Sequence, residues 1–342
     1  MTEILRQQVT AVMGLAEADL TLRPPLAYQS NRLYDLTAGN GHWIVKEFTK
    51  PGEFDLAPRR EFGALQVLDV LDIAPKPVFL QAQPRPPLGP FVIYEYMPGQ
   101  MWDRRRPTHK ELSRLADSWL AFAEVPVNNL PLARAYEDSL VQVAANWRRD
   151  FEAYAAWAEA YFPEAAPIAN LCLEALAEQQ ESIQELAGAR PHLAFGRSDS
   201  RFANIIARPG GRLGLVDWED SGLTDPALDI ADLIVHANQE DLLSAEQWQA
   251  FLAPYLALRQ LADPGLERRI ELHLASLSLM WLDILVSLGL RKIRNGHLNG
   301  WQVNEMPANQ RMRRYLARVL AWPESDFNQE LAALSGQRFF PD

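Results

Sequence analysis

Only one cysteine, Cys172, occurs among the 342 residues, so no internal disulfide can form and the composition suits a reducing compartment, the cytoplasm. Cys172 sits in the apolar run Ile168-Ala169-Asn170-Leu171-Cys172-Leu173, which reads as core rather than as a nucleophile. At the start, Met1 to Gln7, no basic segment leads into a long apolar run, and no secretory signal is expected there. Long apolar stretches are scarce. The longest, Leu272 to Leu290, carries His273, Asp283 and several serines, which points to a buried helix rather than a membrane span. No short repeat is present. Positive charge is in deficit: 33 basic against 44 acidic residues give a net charge of −11. That balance argues against a nucleic-acid partner and is compatible with a cationic ligand. Arg104-Arg105-Arg106 reads as a solvated loop. With 48% apolar and 23% charged residues, the chain is globular and long enough for two separate cores.

Chemistry concentrates between Phe195 and Asp229, in F-G-R-S-D-S-R-F-A-N-I-I and then A-R-P-G-G-R-L-G-L-V-D-W-E-D-S-G-L-T-D-P-A-L-D. Asn204 to Ala207 and Leu213 to Val216 read as strands joined at Pro209-Gly210-Gly211. Such a hairpin brings Asn204 close to Asp217, with Asp199 one short loop away. Two carboxylates and an amide, without Cys or His, form an all-oxygen donor set that suits Mg²⁺ beside phosphate. The remaining carboxylate can take a proton from a hydroxyl. Taken singly, Asn204 and Asp217 would pass as turn residues. Asp225 followed by Pro226 reads as a helix N-cap.

The D-x-x-x-x-N spacing followed by an aspartate at a strand end resembles the catalytic and metal-binding signature of the protein-kinase-like fold. The wording V-D-W-E-D-S-G-L-T-D-P-A-L-D-I-A is most similar to the aminoglycoside phosphotransferase and choline kinase family. This resemblance implies an α+β fold of two lobes: a small sheet-containing N-lobe, residues 1–98, and a larger, mainly helical C-lobe, residues 99–342. It implies ATP and Mg²⁺ as cofactors. Asp199 would be the catalytic base, and Asn204 and Asp217 the metal ligands.

The same resemblance extends upstream. A hairpin signal at Gly39-Asn40-Gly41 precedes the strand-like His42 to Phe48, which puts Lys46 at the position of the family's phosphate-binding lysine. Phe62, Leu65, Leu68 and Leu71 recur at helical spacing, and Glu61 beside that stripe matches the lysine's partner. Phe91 to Gly99 reads as a strand ending in Pro-Gly and resembles the hinge, where backbone at Glu95, Tyr96 and Met97 would meet adenine. Alone, Lys46 would pass for a solvated strand lysine and Glu61 for a partner of Arg59 or Arg60.

The chain departs from the family pattern twice. Arg197 stands where the family carries a histidine, and an arginine there can pair with a phosphate or a carboxylate. The phosphate-loop segment, Ala27 to Tyr34, contains no glycine, and Ser30 and Asn31 are its candidate nucleotide contacts.

Helical periodicity is expected over Arg114 to Ala123, Asp138 to Ala160, Ile168 to Leu186, Glu246 to Leu261, Glu267 to Leu290 and Asn309 to Ala321. The nucleotide is expected in the cleft between the lobes. For the acceptor, Glu219, Asp220, Trp281 and Asp283 are candidates, since a carboxylate beside an indole can hold an ammonium group. Trp281 also reads as core, and Asp283 as a capping or ion-pairing group. The family implies a small hydroxylated, cation-compatible substrate such as an aminoglycoside or a choline-like amino-alcohol, with no nucleic acid or membrane partner; sequence is silent on oligomeric state. Two functions stand: an ATP-dependent small-molecule kinase, and a catalytically inactive pseudokinase that binds nucleotide or regulates. Arg197 and the glycine-free loop are the only features behind the second.

Overall fold

In the computed structural model, residues 2–23, 31–102, 105–126, 140–236, 239, 243–259, 261–296, 301–303, 306–320 and 338–341 are described. Ser30 and Arg104 lie outside them. In chain order the elements are α1 (Thr2–Met13), β1 (Leu20–Leu22), β2 (Arg32–Ala38), β3 (Gly41–Glu47), α2 (Ala57–Leu68), β4 (Pro77–Gln81), β5 (Phe91–Glu95), β6 (Gln100–Met101) and α3 (His109–Ala123). Then come α4 (Leu140–Tyr161), α5 (Ala166–Glu178), α6 (Gln180–Gly188), β7 (Ala194–Gly196), β8 (Ile205–Ala207), β9 (Leu213–Leu215), β10 (Gly222–Thr224) and α7 (Pro226–Val235). The last are α8 (Ala245–Arg259), α9 (Leu266–Arg294), β11 (Gln302–Val303), β12 (Met306–Pro307) and α10 (Ala308–Leu320). The fold is α+β.

The chain parts into two compact units. One comprises residues 1–135, 193–229 and 241–261; the other comprises 136–192, 230–240 and 262–342. The first contains both the N-terminal sheet and the whole Asp199–Asp217 segment, so the candidate site falls within a single unit. The expected lobe boundary at 98/99 lies inside it.

In the first unit, five antiparallel strands run in the order β1-β2-β3-β5-β4. Gly39 and Asn40 close the β2–β3 hairpin, with Ala38 opposite Gly41 and Gly39 at φ 55°. That left-handed backbone is open to glycine at little cost. Because strand side chains alternate, the sheet has two distinct faces. Tyr34, Val45 and Ile93, in register with one another, turn into a core with Leu5, Val9, Leu20 and Leu36. Truncating a fully buried member such as Leu36 to Ala costs about 2–5 kcal/mol. Lys46, opposite Leu33 and Val92, points to the other face, and α2 packs on β4 and β5.

The segment after α2 is tied to the β8–β9 hairpin. Asp72, at φ 51°, accepts from Arg208 through Oδ1 (3.0 Å) and from Arg212 through Oδ2 (2.6 Å). The Ile73 carbonyl accepts the Leu215 N–H at 2.6 Å. Helix α3 opens with a capping box, Thr108 with Glu111, and packs on α8 through Trp119 and Phe251.

The second unit is built on α4, α5, α6, α9 and α10. Its core holds Trp147, Phe151, Tyr154, Leu279, Leu282, Met312, Tyr315 and Cys172, which confirms the cysteine as packing. The expected single helix from Ile168 to Leu186 is two helices. At buried Gln179 the backbone relaxes to ψ 0°, and the break lets α6 pack on α4 and α9. Helix α9 is the one helix among the described residues long and apolar enough to cross a bilayer, but 61% of its apolar window is buried inside the fold.

Candidate active site

Local geometry delivers the segment from Asp199 to Asp217. Strand β7 pairs with β10, and β6, β8 and β9 form a small sheet. Asn204 closes a single 3₁₀ turn, Phe202–Asn204, just before β8, and Asp217 follows β9 by two residues. The turn at Pro209–Gly211 joins β8 to β9 as expected. At Gly214 on β9 a Cβ would lie 1.8 Å from the Met97 sulfur, so a side chain there would displace the Met97 side chain.

Buried Lys46 is the hub. Its Nζ lies 2.5 Å from Glu61 Oε2, 2.5 Å from Asp217 Oδ1 and 2.9 Å from Glu219 Oε2. Burial alone would lower the lysine's pKa, but Asp217, Glu61 and Glu219 more than reverse it, so the ammonium stays charged. Burial pushes the Glu61 carboxyl up to about 7, helped by Asp217 and Glu219 and opposed by Lys46. Burial also pushes on Asp217, yet Lys46 brings it below the usual carboxylate range.

Asn204 donates toward Asp217 Oδ2 (3.4 Å) and Asp199 Oδ2 (3.5 Å). Asp199, Asn204, Asp217, Lys46 and Glu61 therefore come together as the sequence suggests. Asn31 is buried and donates to Glu219 Oε2 at 2.6 Å. Glu219, a candidate acceptor contact by sequence, turns instead to Lys46 and Asn31, and Arg60 holds its backbone carbonyl at 2.9 Å. Asp220 is half-buried beside it.

Asp217 takes φ 67°, which Asp and Asn tolerate better than other side chains. Glu61, Asp217 and Glu219 each present an oxygen within 4.8 Å of the others, an all-oxygen set whose chemistry fits Mg²⁺. Glu219 adds to the donors read from sequence. Only its position two residues past Asp217 signalled it.

Arg197 is fully buried, which removes it from any phosphate. Its guanidinium donates to the Val216 carbonyl (2.7 Å) and lies over the Trp218 ring at 4.6 Å. Beneath it, Asp229 Oδ1 accepts the backbone N–H groups of Arg197 (2.9 Å) and Ser198 (3.0 Å) and the Ser200 hydroxyl (3.3 Å). Asp225 accepts the Ala227 N–H at 2.9 Å, as an N-cap should. One residue that sequence reasoning passed over also belongs here. Arg201 places Nε 3.3 Å from Asp199 Oδ2 and a terminal nitrogen 3.7 Å from Asp217 Oδ2.

At the expected hinge, Glu95 and Tyr96 are exposed and Met97 is buried. The Glu95 and Tyr96 N–H groups bond to the Lys76 and His42 carbonyls, at 2.9 Å each. Tyr96 stacks on the His42 ring at 3.8 Å, and His42 Nε2 lies 2.8 Å from Asp35.

Trp281 and Asp283, candidates for the acceptor, lie on α9 in the second unit. Trp281 meets the His236 ring at 5.1 Å. Burial raises the Asp283 carboxyl to about 7, with the Asp150 charge adding and Arg149 opposing.

Fold and constellation together define a protein-kinase-like phosphotransferase architecture. Solved structures agree. A choline/ethanolamine kinase family protein from Mesorhizobium loti is similar with a TM-score of 0.63 and 20% identity, over 97% of this chain and 98% of that one. The choline kinase LicA from Streptococcus pneumoniae gives 0.59 and 16%, over 94% and 99%. The spectinomycin phosphotransferase APH(9)-Ia, solved with ADP and spectinomycin, gives 0.64 and 10%, over 94% and 98%. No curated protein matches the chain. By its sequence the chain belongs to the phosphotransferase enzyme family, which it matches over residues 21–272.

Proposed function

We propose that this protein transfers the γ-phosphoryl group of ATP to a hydroxyl of a small molecule. The observation that carries the reading is the convergence of Glu61 and Asp217 on Lys46, with Asn204 bridging Asp217 and Asp199. Lys46, held by Glu61, would bind the α- and β-phosphates. Asn204, Asp217 and Glu219 would hold Mg²⁺, which supplies charge neutralisation to the phosphates when bound. Asp199 would orient the acceptor hydroxyl and take its proton. Asn31, and Ser30 before it, would border the phosphates. With the Glu95 and Tyr96 N–H groups engaged in the sheet, adenine would meet the Glu95 carbonyl and the Met97 N–H. An N-terminal nucleotide-binding lobe ending near residue 98, and a cytoplasmic location, belong to the same reading.

A cationic acceptor is favoured by the overall acidity and by the Asp283 carboxyl, for which an ammonium group would be a partner. Trp281 is its candidate neighbour. The relatives named above extend the acceptor class to amino-alcohols and aminocyclitol antibiotics. Burial of Arg197 in the loop's support removes one ground for a pseudokinase. The decisive experiment is incubation with Mg²⁺-ATP and a panel of amino-alcohols, sugars and antibiotics, following ADP release. Acceptor-dependent release establishes the activity; nucleotide binding without turnover on any acceptor would favour the pseudokinase.

A further inference from the structure

We propose that Phe340 is a positioning residue for Asp283: seated between α4 and α9, it holds these helices at the spacing that encloses the carboxyl. Its bearing on function rests on the reading of Asp283 as an acceptor group given above. Residues 338–341 form neither helix nor strand, yet Phe339 and Phe340 are fully buried. Backbone polar groups carried into a core need partners, and here two side chains supply them. The Tyr154 hydroxyl, on α4, donates to the Phe339 carbonyl at 2.6 Å. Asn309, on α10, accepts the Phe340 N–H at 3.0 Å and donates to the Phe340 carbonyl at 3.1 Å, as a neighbouring strand would.

The Phe340 ring fills a socket of matching shape. Tyr154 and Trp157, on α4, have their rings 5.2 and 5.3 Å away, and Trp301 closes another side at 5.9 Å. Tilted ring pairs at such distances are favourable. The floor is Gly289 on α9, where a Cβ would come within 2.3 Å of the ring. Gly289 is the single glycine of that helix. Glycine inside a helix costs stability relative to alanine, and here the cost is matched by the seat it opens for Phe340.

The same two helices carry the acceptor candidate. Asp150 lies one turn before Tyr154 on α4, and its Oδ2 accepts the Ser287 hydroxyl of α9 at 3.1 Å. Ser287 stands two residues before Gly289 and four after Asp283. Residues four apart share a helix face, so ring and carboxyl belong to one stretch of the α4–α9 contact. Burial and the charge of Asp150 raise the Asp283 carboxyl, and Arg149 opposes them. Asp150 and Arg149 both ride on α4, so each of these influences follows the distance between α4 and α9. Side-chain size at the contact sets that distance. With the ring out of its seat the helices part and water reaches Asp283. Phe340 acts only through that spacing.

The test is the titration of Asp283 in the full chain, followed by the carbon-13 shift of its carboxyl, in wild type, Gly289→Ala and Phe340→Leu. Gly289→Ala improves the helix propensity of α9 while putting a methyl group where the ring sits. Phe340→Leu keeps an apolar side chain in the socket and loses the ring contacts. The wild-type midpoint should lie near 7. In both variants it should fall by about one pH unit or more, a tenfold loss of proton affinity. An unmoved midpoint in either variant, or a wild-type midpoint in the ordinary carboxylate range, overturns the assignment. The titration uses neither nucleotide nor acceptor. Its failure would therefore leave the phosphotransfer reading intact, and a chain unable to transfer phosphate would leave the hold of Phe340 on Asp283 standing.

Discussion

Arg197 reaches across to the carbonyl of Val216, the residue immediately before Asp217, at 2.7 Å. The segment carrying Asp199 and the one carrying Asp217 are thereby joined by a buried cation stacked on Trp218. Arg197→Met should cost on the order of 3 kcal/mol of stability, because the Val216 carbonyl loses its donor and buried Asp229 its nearest cation. Urea unfolding measures this. Lysine should recover only part, since it lacks the planar group that stacks. An unchanged urea midpoint in Arg197→Met would remove Arg197 from the support of the loop.

Asp217→Asn is the cleaner probe of the metal. Asparagine tolerates the φ of 67° that alanine would resist, and Lys46 keeps Glu61 and Glu219 as partners. The fold should persist while Mg²⁺-dependent nucleotide affinity falls at least tenfold, on the order expected for a lost charged ligand. Calorimetry with and without Mg²⁺ reads the difference. Equal Mg²⁺ dependence in variant and wild type would exclude Asp217 as a ligand.

For Asp199→Asn, the expected loss is in turnover, about 10²- to 10⁴-fold on the true acceptor, the usual worth of a positioned base. Nucleotide affinity should move only a few-fold. Acceptor-dependent ADP release is the quantity to follow, because slow hydrolysis by water does not need this base. Near-wild-type transfer would assign the proton to another group.

Asp283 predicts a pH dependence of stability. Its carboxyl is raised to about 7 in the fold, chiefly by burial, against about 3.9 when unfolded. The folded state therefore holds the extra proton between those values. Its contribution is fully present below about pH 4 and is lost as pH rises through about 7. At pH 8 Asp283→Asn should be more stable than wild type, by on the order of 1 kcal/mol after allowance for partial exposure, and should melt at a higher temperature. The gain should vanish near pH 4. Parallel melting curves at both pH values, with no such convergence, would contradict the raised carboxyl.

Asp199, Asn204 and Asp217 are legible in the sequence because their relation is local: a five-residue spacing and one tight hairpin fix them. Lys46 and Glu61 are legible because strand and helix periodicity place each on a known face. Glu219 is harder. Its partner Asn31 lies 188 residues away, and nothing in W-E-D-S shows which way the carboxylate turns. Arg197 and Arg201 carry the same side chain four residues apart. Only the aromatic floor of Trp218 and Trp119 shows that the first is buried and the second is not. The break at Gln179 was hidden for a similar reason: an apolar pattern continues across it while the packing partners change.

The clasp of Asp72 on Arg208 and Arg212, with the Ile73 carbonyl on the Leu215 amide, ties the segment after α2 to the β8–β9 hairpin. Glu61 rides on α2, and the segment that follows α2 is fastened to the strand that leads to Asp217. An outward swing of the helix would pull on the strand that leads to Asp217 as well. In the phosphotransferase proposed above, Lys46, Glu61 and Asp217 would stand together in advance of any nucleotide, and little binding energy would go into organising them.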